Sequence, residues 1–318
     1  MIGCMYEQIA SNKRRAVFYI FLFFVVWIGI GALIGLAFSG ATTSPDGTTT
    51  SHPGAIIAGM VIAAIFAFGA TLFALTSGAR LVLRVSGARP ADPSQYQQLH
   101  NIVEGLAIGD GLPKPDVYVI DDPSPNAFAT GTSPGHAAIT ATTGLLEIMN
   151  REELEGVIGH EMSHIKNYDV RLILIISTLI GMAGLIASVI WRSMFYMRPR
   201  GRDSGNAILV VVAAGLLLSI VGFIVGPLIR LAVSRRREEL ADVSGVALTR
   251  NPAGLIGALK KLEQNDKPFA KFNHATAAMC IDDPLQHHQS FFHHLFDTHP
   301  PIAERIAILE RIEQGHAV

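Results

Sequence analysis

Two histidines stand four residues apart, with a glutamate directly after the first, in GHEMSHIKNYD (159–169). On a helix, residues four apart share a face, so His160 and His164 can present both imidazoles to one metal ion. Glu161, one position round, points beside the pair, where it can serve as general base to a water without taking a coordination position. H-E-x-x-H is a short pattern, and a polar helix with chance spacing is the alternative that the rest of the chain has to exclude. A catalytic zinc takes three protein ligands and keeps a fourth position open. A third is found past an apolar stretch, in RREELAD (236–242), where Glu238 and Asp242 are again four apart on an expected helix. Glu238 can be the third ligand, and Asp242 the carboxylate that accepts a hydrogen bond from a ligating imidazole and fixes its tautomer. The plainer reading of Arg235, Arg236 and Arg237 is a charged cap that finishes a membrane helix at the interface. Asn167 and Asp169 likewise read as the end of the metal helix, capping or orienting the chain that follows.

The elements that must bring these two motifs together include membrane helices. Of 318 residues, 50% are apolar and only 16% charged, with a mean hydropathy of +0.38, too oily for a purely soluble protein of this length. The net charge of −1 carries no signal for a nucleic-acid partner. Cys4 and Cys280 lie far apart in sequence and suggest neither a disulfide framework nor a cysteine metal knuckle. Residues 16–38 and 54–79 are uncharged and long enough to span a hydrocarbon core of roughly 30 Å. The loop between them has no Lys or Arg, whereas Lys13, Arg14 and Arg15 precede the first span and Arg80, Arg84 and Arg89 follow the second. The positive-inside rule then puts both flanks in the cytoplasm. Two further apolar runs, 172–191 and 206–229, form a second hairpin, either fully spanning with a basic outer loop (Arg192, Arg198, Arg200, Arg202) or only partly embedded. In both cases the chain returns to the side it left, so His160 and Glu238 share one compartment.

The expected organisation is therefore a cytoplasmic N-terminus (1–15), a transmembrane hairpin, a first part of the catalytic domain (80–171), a second membrane hairpin, and a second part (230–318). In the first part, 115–122 alternates as a strand with one buried face. Strands at 126–130 and 137–142 read as a hairpin turning at 131–135. Asn150 is an N-cap with Glu153 as capping-box partner for the metal helix. Further helices are expected at 94–106, 253–264 and 301–314. Clustered His287, His288, His293 and His294 tempt one toward a second metal site, but a solvated cluster is the ordinary reading, with no carboxylate at supporting spacing.

Four motifs in order, NAFATG (126–131), HEMSH (160–164), RREELAD (236–242) and THPPIAERI (298–306), resemble the HtpX-type membrane zinc endopeptidases, kin to the CAAX-prenyl endopeptidases. The resemblance covers essentially the whole chain. It implies an α+β membrane protein of about four transmembrane helices, with a mostly helical zincin-type (gluzincin) catalytic domain carrying a small β-sheet or hairpin. It implies one Zn2+ per chain on His160, His164 and Glu238, Glu161 as general base, and Asp242 behind a ligating histidine. By the same likeness His299 and Arg305 face the zinc cleft as oxyanion stabilisers, although Pro300 and Pro301 can equally start the last helix with Arg305 solvated or ion-paired. Asn126, Ala127, Phe128 and Ala129 resemble a substrate-binding edge strand; a plain edge strand would have the same sequence. Glu239 stands where the family usually has an aromatic. The implied function is cleavage of misfolded or damaged membrane proteins, at a cytoplasm-facing site in the bacterial inner membrane, with polypeptides and the lipid bilayer as partners. A specific prenyl-peptide-type processing enzyme and a non-catalytic zinc-binding adaptor are the alternatives. The presence of Glu161 and the lack of a fourth Cys or His ligand speak against the adaptor.

Overall fold

The computed structural model describes residues 2–39, 42–43, 49–50, 53–196, 212–213, 215–217, 219, 235–264 and 301–314. In chain order its elements are α1 (Ile2–Phe38), β1 (Thr42–Thr43), β2 (Thr49–Thr50), α2 (Pro53–Val85), β3 (Arg89–Pro90), α3 (Gln97–Asp110), β4 (Asp116–Ile120), β5 (Ala127–Ser133), β6 (His136–Thr142), α4 (Thr143–Ile148), α5 (Arg151–Lys166), α6 (Asp169–Tyr196), α7 (Arg235–Thr249), α8 (Pro252–Glu263) and α9 (Ile302–Glu313). The chain divides into two compact units.

One unit comprises Arg14–Leu75 and Ile175–Leu228. Among the described residues, three stretches are long and apolar enough to cross a membrane: Ile9–Leu36, Pro53–Val85 and Asp169–Arg192. Most of the fourth expected span, 206–229, lies outside the described residues, as does the basic loop at 197–205. A described turn of that run is fixed by Trp191, whose Nε1 donates to Ser219 Oγ at 3.0 Å. Helices α1 and α2 meet backbone to backbone: a Cβ at Gly31 would fall 2.3 Å from the Gly59 carbonyl oxygen. In lipid, where apolar side chains gain nothing by leaving the solvent, such close approach through small residues is what holds helices together. Trp27 is buried in this hairpin, its ring 4.5 Å from that of Phe66. Phe18, Phe21, Ile62, Ile65 and Phe68 are exposed, as side chains that meet acyl chains must be.

The other unit comprises Met1–Lys13, Thr76–Leu174 and Ile229–Val318. Its sheet has the order β3-β4-β6-β5, with β4 and β6 parallel and the other pairs antiparallel. The β5/β6 hairpin is longer than expected, closing at Ser133–His136, because Gly131 adopts a φ of 151° and inserts an irregularity that lets pairing continue past it. Helix α5 opens on the expected capping box: Glu153 N donates to Asn150 Oδ1 at 2.9 Å, and Asn150 N donates to Glu153 Oε2 at 2.8 Å. α5 packs against β5, α3, α7 and α8. Its Leu154, Val157, Ile158, Met162 and Ile165 join Leu99, Val103, Ile139, Leu259 and Leu309 in one core. A helix wrapped on so many sides can hold polar groups rigidly, provided each finds a partner.

Candidate metal centre

Helices α5 and α7 run antiparallel and touch through glycine. A Cβ at Gly245 would lie 2.8 Å from His160 N, and one at Gly159 would lie 2.9 Å from Thr249 Cγ2. Glu238 and Asp242 share the Gly245 face of α7, at i−7 and i−3, so this approach delivers both carboxylates to the histidine face of α5.

His160 Nε2 and His164 Nε2 are 3.1 Å apart, and Glu238 Oε2 is 3.6 Å from the first and 3.7 Å from the second. A tetrahedral zinc with ligand bonds of roughly 2.0–2.2 Å needs neighbouring donors roughly 3.3–3.5 Å apart, and this triangle fits it. These three residues form a group able to hold a metal ion. The far side of each imidazole is occupied. His160 Nδ1 donates to Asp242 Oδ1 at 2.8 Å, and His164 Nδ1 donates to Asp169 Oδ2 at 3.0 Å. With the Nδ1 protons committed to carboxylates, both Nε2 lone pairs point to the shared centre. Glu161 follows His160 on the same buried turn.

Arg305 is 1% exposed and forks onto Asp242, Nε to Oδ2 at 2.9 Å and Nη2 to Oδ1 at 2.7 Å. The side chain is therefore not solvated but ion-paired. Burial pushes the Asp242 carboxyl up, but the Arg305 charge and hydrogen bonds outweigh it and bring the pKa down to about 2. Burial likewise opposes a charge on His164, yet the Glu238 and Asp169 carboxylates hold its pKa up at about 10; His160 is raised against the same burial by Asp242 and Glu238.

His299 lies outside the described residues, as do His287, His288, His293 and His294. Asn126 precedes β5, its N donating to Thr142 Oγ1 at 2.9 Å. In β5, Ala127 and Ala129 face the core shared with α5, while Phe128 packs with Ile173 and Leu174 on the other face.

The family model for peptidase family M48 matches residues 93–313. The chain belongs to peptidase family M48. As a member it is a membrane metalloendopeptidase, with the His160, His164 and Glu238 group as the metal-binding candidate. Similar relatives over nearly full length include a "Protease HtpX homolog" of Levilactobacillus brevis, 42% identical over 97% of this chain and 100% of that one. Another of the same name from Streptococcus mutans is also 42% identical with the same coverage, and one from Caldanaerobacter subterraneus is 40% identical over 97% and 98%. Among solved structures, S. mikatae Ste24p is similar with a TM-score of 0.49 and 20% identity, over 77% of this chain and 57% of that one.

Three residues around the candidate metal site do more than their sequence positions suggest. Asp169, expected to cap the metal helix or orient the chain after it, starts α6 and is also fully buried against His164. Arg237, expected at a membrane interface, is 4% exposed, with Nε 3.7 Å from Asp169 Oδ1 and Nη2 3.6 Å from Glu238 Oε1. Asn12, from the N-terminal segment, donates to Asp169. The only sequence signal for Asp169 was an acid five residues past a histidine; Asn12 had none.

Proposed function

We propose that this chain is a zinc-dependent endopeptidase of the bacterial inner membrane, that its site faces the cytoplasm, and that it degrades misfolded or damaged membrane proteins in a stress response. The reading is carried by the convergence of His160 Nε2, His164 Nε2 and Glu238 Oε2 on one point, beside the buried Glu161. In it, these three side chains hold one zinc per chain, which when bound supplies a Lewis acid to the scissile carbonyl and the attacking water. Glu161 is the general base, taking a proton from the water and delivering it to the departing amine. Asp242 and Asp169 fix the tautomer and direction of the two imidazoles. His299 and Arg305 are assigned to the developing oxyanion, with Arg305 braced on Asp242. Substrate is assigned to Asn126, Ala127, Phe128 and Ala129, a placement supported by β5 being the outermost strand in pairing order and packing on α5. The cytoplasmic orientation is supported by Lys13, Arg14 and Arg15 before, and Arg80, Arg84 and Arg89 after, the first apolar hairpin.

The test is Glu161→Gln in detergent-solubilised protein supplied with zinc. Casein cleavage should be abolished while one equivalent of zinc is retained; cleavage at the wild-type rate refutes the mechanism. Glu238→Ala should lose tight zinc binding, and unchanged affinity removes Glu238 from the ligand set.

A further inference from the structure

The carboxylate behind His164 is itself held by a residue from the far end of the chain. Asn12 sits in the first turns of α1 and is 1% exposed. Its Nδ2 donates to Asp169 Oδ1 at 2.6 Å and to the Asn167 carbonyl at 3.0 Å. Both partners are acceptors only, so the amide nitrogen must face them, and its two hydrogens serve two different acceptors. Asp169 Oδ2, the oxygen left over, accepts from His164 Nδ1 at 3.0 Å. Next along the chain, Lys13 Nζ lies over the Tyr168 ring, 4.4 Å from its centroid, so the segment is docked on the α5–α6 junction at two points. Only one of these, Asn12, reaches the carboxylate.

We infer that Asn12 is a positioning residue of the metal site: it locks Asp169 so that Oδ2 aims at His164 Nδ1, which in turn aims His164 Nε2 at the ion. The charge-assisted bond from Asn12 restricts the carboxylate at χ2, and without it Arg237 Nε, 3.7 Å from the same Oδ1, is the donor left to pull that oxygen and turn Oδ2 off the His164 axis. A metal-ligand motif on α5 is thereby completed from the N-terminal part of α1, 155 residues from Asn167 and 157 from Asp169. The inference rests on the zinc reading above.

Zinc affinity of the full-length, detergent-solubilised chain, measured by competition with a chromophoric chelator, is the primary readout, with the visible spectrum of the Co2+-substituted protein as the second. Asn12→Ala should weaken zinc binding by up to roughly 10-fold and shift the Co2+ bands, the low end of the scale seen when the group bonded to a metal-ligating histidine is removed, because Asn12 acts through that group. Lys13→Gln, which removes only the contact over Tyr168, should leave affinity and spectrum at wild type. In an Asp169→Asn background, Asn12→Ala should change affinity little, because the two act on one ligand. If Asn12→Ala does not accumulate folded, Asn12→Gln keeps both donors on a longer stem and should show the same spectral shift in milder form. Wild-type affinity and an unshifted Co2+ spectrum in the position-12 variant, or additive effects of positions 12 and 169, overturn the inference. Failure of the underlying reading is separate: the wild type would then bind no stoichiometric zinc, or Glu238→Ala would bind it equally well.

Discussion

One methyl group at Gly245 tests whether the contact of α5 with α7 sets the spacing of the metal ligands. A Cβ there would lie 2.8 Å from His160 N, 3.0 Å from Gly159 C and 3.1 Å from His160 Cα. Carbon in ordinary contact stands about 3.5–4.0 Å off, so α7 has to retreat by roughly 0.7 Å at this point. Two effects oppose each other. Alanine's better helix propensity contributes about 1 kcal/mol of stabilisation, while forcing a methyl into a filled contact costs about 1–3 kcal/mol. Overpacking wins here because all three atoms belong to the α5 main chain and cannot rotate aside. The effect on the site is larger than the effect on stability. Glu238 and Asp242 ride on α7 and both histidines on α5, and metal-ligand distances tolerate only about 0.2 Å of error. We expect Gly245→Ala to lower the melting temperature by a few degrees and to weaken zinc binding at least tenfold in chelator competition. Gly105→Ala is the control, on α3, where a Cβ meets nothing within 4 Å. It should leave zinc binding untouched and stabilise by about 0.5–1 kcal/mol. Wild-type zinc affinity in Gly245→Ala would refute the claim that this helix contact spaces the ligands.

Asp242→Asn takes the carboxylate away from both Arg305 and His160, and breaking a buried pair of this kind costs about 3–5 kcal/mol. Denaturant melts should show that loss, and adding Arg305→Met should recover part of it; no recovery means the pairing is not its source. For pH, the folded metal-free site holds His164 near pKa 10 and His160 above its ordinary value, both higher than in the unfolded chain. Their stabilisation of the metal-free fold is therefore complete below pH about 6.5 and fades as pH rises toward 10. Zinc must displace those protons, so calorimetry at pH 7.5 in buffers of different ionisation enthalpy should show roughly one to two protons released per zinc; zero release contradicts the charge state. In the membrane unit, a Cβ at Gly59 would fall 2.2 Å from the Gly31 carbonyl oxygen, whereas one at Gly69 meets nothing within 4 Å. Gly59→Leu should accumulate poorly in membranes and Gly69→Leu normally; equal levels on immunoblots would deny the hairpin contact.

What the sequence made legible was local or periodic. The capping box at Asn150 and Glu153 lies within one turn, the His160–His164 and Glu238–Asp242 pairs follow helical spacing, and the uncharged runs 16–38 and 54–79 overlap two helices long and apolar enough to cross a membrane, Ile9–Leu36 and Pro53–Val85. A bare spacing rule finds ligands because a metal forces them onto one face of a helix. It does not find what orients them, since a supporting carboxylate can enter from any segment that the fold brings near. Asp169 is the example. Tyr168 takes a φ of 60°, a left-handed conformation that a tyrosine does not announce in sequence, and the α6 that starts beyond it places Asp169 against His164. Arg237 misled for a related reason: an arginine after an apolar run matches the pattern of an interface cap, and only the packing of α7 on α5 shows it buried between Asp169 and Glu238. The two-residue strand β3 is too short for any periodicity to register. The residues hardest to read were thus those whose role is to hold other residues. Asn12 stands at the end of that series, two hydrogen-bonded steps from the candidate ligand His164, which is why its contact with the site had to come from geometry.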